Sequence, residues 1–164
     1  MITIRKMRPG EEMALWSLFY QTVRTVNIQD YTPEQVAIWA PDNCNEIAWK
    51  NRMQHIYPYV AVRKNAIVGY ADVQTNGYID HFFVDAKTQG KGVGKALMNV
   101  LFREGGNMSV ARFYSNVSIT AKPFFQRMGF QVVKVQQVEK AGAVFTNYIM
   151  EKRVEAQSAY TQVT

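Results

Sequence analysis

At 164 residues, with 48% hydrophobic and 20% charged side chains, the chain has the size of one packed core that buries roughly 70% of its unfolded surface. No apolar run reaches the roughly 18 residues of a membrane span and no charged-then-apolar leader is visible, while the single cysteine, Cys44, has no internal disulfide partner and fits a reducing cytoplasm. The net charge of +6 is uneven: from Lys87 onward 11 Lys and Arg stand against 4 Asp and Glu, and before it 8 stand against 9. These basic residues are scattered singly, without Lys/Arg clusters, metal-ligand spacing or an RNA-recognition signature, so neither nucleic acid nor a metal is the expected partner.

In chain order, residues 2–7 predict a strand. Residues 9–26 predict a helix with Met13, Trp16, Phe19, Tyr20 and Val23 on one side and Pro9 in its first turn. Thr32 and Pro33 read as the N-cap and first residue of a short helix, and residues 45–56 as another. Residues 59–63 and 67–74 predict a strand pair around Lys64-Asn65, and Gly77 precedes an aromatic, β-branched strand at 78–84. A helix starts at the glycines that follow, with Val93, Leu97, Val100 and Leu101 on one face and Gly105-Gly106 as its stop. Residues 110–116 predict a strand, 120–128 a helix capped by Gly129, and 132–138 with 143–150 a closing hairpin. Without repeats or linkers, residues 1–152 read as one domain and 153–164 as a polar, frayed tail.

The chemistry concentrates in residues 89–96, QGKGVGKA, between an apolar strand and an amphipathic helix. A helix start carries unpaired N–H groups and about half a positive charge, and so binds anions. Gly90, Gly92 and Gly94 let a phosphate approach the backbone, and Lys91 and Lys95 add countercharge. Ala96 follows Lys95 where a P-loop needs Ser or Thr, and the glycine spacing is not that of the dinucleotide fingerprint. A phosphorylated cofactor of another kind is implied.

Gln89, Gly92 and Gly94 match [Q/R]-x-x-G-x-[G/A], the signature of the Gcn5-related N-acetyltransferase (GNAT) superfamily. Downstream, Ala121, Phe124, Arg127, Gly129 and Phe130 match that family's A-x-x-[F/L]-Y-E-[K/R]-x-G-F pattern. The chain therefore resembles this family over about residues 1–152, and residues 31–40 and 118–130 resemble an uncharacterised bacterial branch of it. The resemblance implies an α/β (α+β) GNAT acyl-CoA N-acyltransferase fold: a central mixed, largely antiparallel sheet with a splayed strand pair, flanked by helices. It also implies acetyl-CoA as acyl donor and a primary amine as acceptor, that of a small molecule ahead of a peptide or protein N-terminus. Pantetheine is expected along Phe82, Phe83 and Val84, and pyrophosphate on Gln89, Gly90, Lys91, Gly92, Val93, Gly94 and Lys95. Direct attack of the amine on the thioester is implied, with a strand amide at the developing oxyanion.

Two positions depart from the family. Phe125 stands where many members carry the tyrosine that protonates the leaving thiolate, and Ser118 where an asparagine is frequent; both are still expected at the cofactor. Tyr148 and Tyr114 are the candidate replacement acids, each with a packing role as the alternative. An alkylammonium acceptor, with a pKa of about 10, needs a base. Asp80 and His81 are the candidates, Asp80 preferred, although strand alternation sends them to opposite faces. An arylamine or hydroxylamine acceptor needs neither. Tyr31, Trp39, Trp49, His55 and Tyr57 suggest a flat acceptor or plain core packing; Asp30, Glu34, Asp42 and Glu46 suggest a cationic one or helix caps. Phe125 also motivates a rival, a CoA-binding regulatory or partner-binding module without turnover. The acceptor, the oligomeric state (a homodimer included) and the use of longer acyl donors are not identified by the sequence.

Overall fold

The computed structural model describes residues 1–155, and its layers follow from which strand faces are apolar. Val60 and Ala61 on one strand are both fully buried, as are Tyr70 and Ala71 on its neighbour, so this sheet is covered on both sides. Strands β1 (Thr3–Lys6), β2 (Tyr59–Arg63) and β3 (Ala66–Ala71) pair antiparallel in that order, and the positive φ of Lys64 and Asn65 makes the tight β2–β3 turn. Helices α1 (Glu12–Thr25), α2 (Pro33–Trp39) and α3 (Glu46–Ile56) cover one face with Leu15, Val23, Val36 and Met53. Helix α4 (Val93–Asn107) covers the other with Val93, Leu97, Met98 and Leu101.

The run 78–84, expected as one strand, is two: β4 (Tyr78–Ile79) and β5 (Phe82–Val84). β5 completes the first sheet beside β3, whereas β4 joins a second sheet of order β4-β6-β8-β7, with β6 Arg112–Ser118, β7 Gln131–Lys140 and β8 Ala143–Arg153. The β4–β6 pairing is parallel and the other pairings are antiparallel. Helix α5 (Lys122–Arg127) lies at the end of β6. This is the mixed, largely antiparallel α+β architecture with a splayed strand pair.

Several boundaries moved for identifiable reasons. α1 begins at Glu12 because Gly10 takes φ +95 after Pro9, so Pro9 stands outside the helix. α2 begins as expected, with Thr32 Oγ1 accepting from Gln35 N at 3.1 Å and Gln35 Oε1 from Thr32 N at 2.8 Å, a reciprocal capping box. α4 passes through Gly105 and Gly106 to Asn107 and is not stopped by them. β7 and β8 are longer than expected, joined by positive-φ Ala141 and Gly142; β8 takes in Arg153, and of the expected tail residues 156–164 lie outside the described residues. Among the described residues, no helix is long and apolar enough to cross a membrane.

Candidate active site

β4 runs beside β6 for only two pairs, Tyr78 with Tyr114 and Ile79 with Ser115. Ser115 Oγ donates to the Ile79 carbonyl at 2.7 Å, clasping the strands at the last point where they touch. The chain then crosses to β3, and β5 and β6 part. Asp80 and His81 occupy the crossing, where their backbone N–H groups both turn to one side chain: Asp72 Oδ1 accepts from Asp80 N at 3.1 Å and from His81 N at 2.6 Å. Gln74 Nε2 donates to Asp72 Oδ2 at 2.6 Å. Asp72 is fully buried, and desolvation raises its carboxyl to about 6 against the pull of these hydrogen bonds. Because the strand breaks here, the expected alternation fails, and both Asp80 and His81 contribute to the wall of the opening.

The parting creates a cleft of about 1290 Å³. Asp72 N donates to the His81 carbonyl and Asp85 N to the Val68 carbonyl, which fixes the alternation of the β3–β5 ladder. Phe83 therefore faces Tyr70 with its backbone, and the backbones of Phe82 and Val84 turn toward the open edge. Of the three residues expected to offer backbone contacts, two are presented and Phe83 contributes its ring instead.

At one end of the cleft the glycine turn meets α4. Ala96 N donates to the Gly92 carbonyl at 3.0 Å, the first bond internal to the helix, so the amides of Val93, Gly94 and Lys95 belong to its open first turn. Gly90 and Gly92 have φ +76 and +84, with nothing within 4 Å of where a Cβ would stand. Their lack of side chains gives a left-handed turn with open space above it. Gly94 differs, since a Cβ there would sit 3.2 Å from the Phe124 ring; it brings the helix against α5. Gln89, Gly90, Gly92, Val93, Gly94 and Lys95 line the cleft, and Lys91 does not.

The wall opposite β5 is the end of β6 and the start of α5. Ser118 Oγ accepts from Ala121 N at 3.0 Å and from Asn27 Nδ2 at 3.4 Å, leaving its own proton to donate. Phe125, 2% exposed, packs 4.9 Å from Phe130 and 5.7 Å from Phe82 and lines the cleft with an apolar ring. Tyr148 and Tyr114 do not line it. Lys122 Nζ stands 4.4 Å over the Tyr148 ring, and Tyr114 packs on Tyr78 at 5.1 Å while its oxygen accepts from Asn76 Nδ2. Two polar atoms of this wall were not legible in the sequence: Thr120 Oγ1 and Asn147 Oδ1 are buried without a hydrogen-bond partner among the described residues.

The other end lies under α1, α2 and α3. Trp16, Phe19, Trp39 and Trp49 line it together with Phe83 and His81. His81 Nδ1 is 3.0 Å from Tyr70 Oη, and burial, aided by the Arg52 charge, lowers the imidazole to about 4. Asp80 is ion-paired with Arg52, a residue that sequence reasoning did not single out. Tyr31 lines the cleft, but its hydroxyl is spent as a bolt, donating to the Thr146 carbonyl at 2.7 Å and accepting from Ile119 N at 3.0 Å. His55 and Tyr57 do not line the cleft, nor do Asp30, Glu34, Asp42 and Glu46. Asp42 is taken by Tyr20 and Arg24, and Glu46 lies 3.8 Å from Lys50. The acidic patch considered for a cationic acceptor is therefore not part of the cleft.

The comparisons with known proteins agree with this geometry. Residues 27–152 match the model of the acetyltransferase (GNAT) domain. The chain is 38% identical over 149 residues to the uncharacterized N-acetyltransferase YafP of Escherichia coli K12, covering 91% of this chain and 94% of that protein. Among solved structures, a GCN5-related N-acetyltransferase from Rhodopseudomonas palustris superposes with a TM-score of 0.88 at 22% identity, over 93% of this chain and 95% of that one. YncA, a putative acetyltransferase from Salmonella typhimurium determined with its cofactor acetyl-CoA, gives 0.67 at 18% identity over 97% of each chain.

Proposed function

This chain belongs to the GNAT family of acetyltransferases, and from that premise we propose that it moves the acetyl group of acetyl-CoA to a primary amine of a small molecule by direct attack in a ternary complex. The observation that carries the reading is the junction of two features: an open α4 N-terminus behind a left-handed glycine turn, and a parted strand pair whose free edge continues from it. In this reading the pyrophosphate rests on the amides of the turn beside Lys95, and pantetheine runs along the outward backbone of Phe82 and Val84. The amine nitrogen forms a bond to the thioester carbon, an outward β5 amide stabilises the oxyanion, and the C–S bond breaks to release the thiolate. Asp80 and His81 stand at the acceptor end as proton-accepting groups. Holding the two reactants in line supplies most of the acceleration.

Calorimetry with acetyl-CoA tests the coenzyme site. Lys95→Glu places an acid in the first turn of α4, where it suits the helix, so the fold is retained while the countercharge is reversed. Affinity is expected to fall by about tenfold or more. No binding to the wild type would overturn the reading. Phe125, which has no proton to give, favours the second reading of a coenzyme-binding module without turnover; free-thiol release on addition of amines decides between the two.

A further inference from the structure

The cleft changes character along its length. Its coenzyme end presents glycine amides, whereas the end beneath α1, α2 and α3 is walled by rings. Trp16 and Trp49 meet edge to face with centroids 5.0 Å apart, Phe19 and Phe83 do the same at 5.0 Å, and Trp39 approaches Phe83 at 6.4 Å. The polar handle of Trp49 is already spent, its Nε1–H donating to the Glu12 carbonyl at 2.7 Å. Trp49 therefore offers an acceptor only its ring.

Charge narrows the choice. Asp80 is the one carboxylate among the described residues that line the cleft, and Arg52 holds it in an ion pair; Lys95, Arg127 and Lys140 line the cleft as well. An alkylammonium or a polyamine would lose its hydration there without an unpaired carboxylate to replace it. A neutral aromatic amine leaves no charge desolvated and gains the ring faces. The proton chemistry agrees. His81 lies 5.8 Å from Trp49 and 5.7 Å from Phe83, ring to ring, and is neutral with a pKa near 4. So weak a base cannot prepare an alkylammonium with a pKa of about 10. It is suited to the far more acidic ammonium that forms when a ring-bound nitrogen adds to a carbonyl.

Resting on the acetyltransferase reading above, we infer that the acceptor is a primary arylamine, its ring held among Trp16, Trp39, Trp49 and Phe83 and its nitrogen beside His81. The nitrogen lone pair forms the N–C bond, the C–S bond breaks, and coenzyme A leaves with that electron pair. The nitrogen proton passes to His81; in the tautomer whose Nδ1–H donates to Tyr70 Oη, Nε2 is the acceptor. From there it reaches the thiolate or water, restoring the neutral imidazole.

Two isomers test the assignment, 4-methylaniline and benzylamine, which share a ring and differ in whether nitrogen is attached to it. With acetyl-CoA saturating at neutral pH, acetylated product is measured by mass spectrometry, with spermidine as a third acceptor. The expected result is a kcat/KM for 4-methylaniline about tenfold or more above those of benzylamine and spermidine. Trp39→Ala should raise the KM for 4-methylaniline about fivefold or more, with acetyl-CoA affinity by calorimetry unchanged. Equal or faster acetylation of benzylamine or spermidine overturns the arylamine assignment and leaves acetyl transfer standing. If no amine is acetylated, binding of 4-methylaniline to the coenzyme A complex is followed by tryptophan fluorescence. Quenching that Trp39→Ala removes would support the arylamine pocket while overturning transfer, and no quenching would overturn both.

Discussion

Phe125 sits at the position where relatives of the second motif place a proton donor, and a ring cannot replace a hydroxyl. Its burial against Phe130 and Phe82 makes it part of the packing that holds α5 to the cleft. An unspent hydroxyl does exist in the same wall, that of Thr120, whose Oγ1 is buried without a partner among the described residues. Leaving such a group unsatisfied costs about 1–3 kcal/mol. Thr120→Val preserves the branched shape and removes the O–H, so in ligand-free protein the unfolding midpoint should hold or rise by about 2–4 °C. Differential scanning calorimetry measures this directly. A lower midpoint would mean that the hydroxyl is engaged in the free protein.

At the scale of elements, α4 shows what separates two identical residues. Gly105 and Gly106 form a pair that reads as a stop, yet the helix crosses both. A Cβ on Gly105 would lie 2.3 Å from the Phe113 ring of β6, whereas one on Gly106 would meet nothing within 4 Å. Gly105→Ala should therefore destabilise by about 1–3 kcal/mol through overpacking. Gly106→Ala should stabilise by up to about 1 kcal/mol, the helix propensity gained. Urea unfolding of the two variants reads both signs, and equal effects would remove the close approach as the cause. The start and buried face of α4 were legible because the spacing of Val93, Leu97 and Leu101 is a local property. Its end was not, because it depends on how near β6 comes. The same distinction governs the site. The glycine turn is local and was legible as an open turn at the start of α4, apart from Lys91, which does not reach the cleft, and Gly94, which serves packing. The break between Ile79 and Phe82 depends on Asp72, the residue just after β3, and no pattern within residues 78–84 announces it. The aromatic residues of the first helices were visible as composition, but only the fold gathers Trp16, Trp39 and Trp49 around β5.

For the molecule as a whole, the crossing that opens the cleft also sets a balance in its stability. Asp72 titrates near 6 when folded, against 3.8 for an ordinary aspartate, so between those values the folded state holds more protons than the unfolded one. Its contribution therefore falls as pH rises through that window, by about 3 kcal/mol in total. His81 titrates near 4 when folded, against 6.5 for an ordinary histidine, so between those values the folded state holds fewer protons, and stability rises with pH. The two slopes oppose each other over the shared range from about 4 to about 6 and leave a shallow net dependence from this pair. Removing either group should expose the other. Asp72→Asn keeps an oxygen for the Asp80 and His81 amides and loses the titration, so relative to wild type its midpoint should drop as pH is lowered from about 6 toward 3.8. His81→Gln should show the reverse, a midpoint rising relative to wild type as pH is lowered from 6.5 toward about 4. Glu11, held near 2 chiefly by its hydrogen bonds to Arg5, weakens every variant alike below its ordinary value of 4.5, so it cancels in the differences. Thermal unfolding of the three proteins at matched ionic strength across this range provides the comparison. Opposite slopes in the two variants would show that one buried carboxylate and one buried imidazole, joined through two backbone amides, hold the strand crossing at nearly constant stability across the acid range. Parallel slopes would mean that neither group is as desolvated in solution as the fold places it.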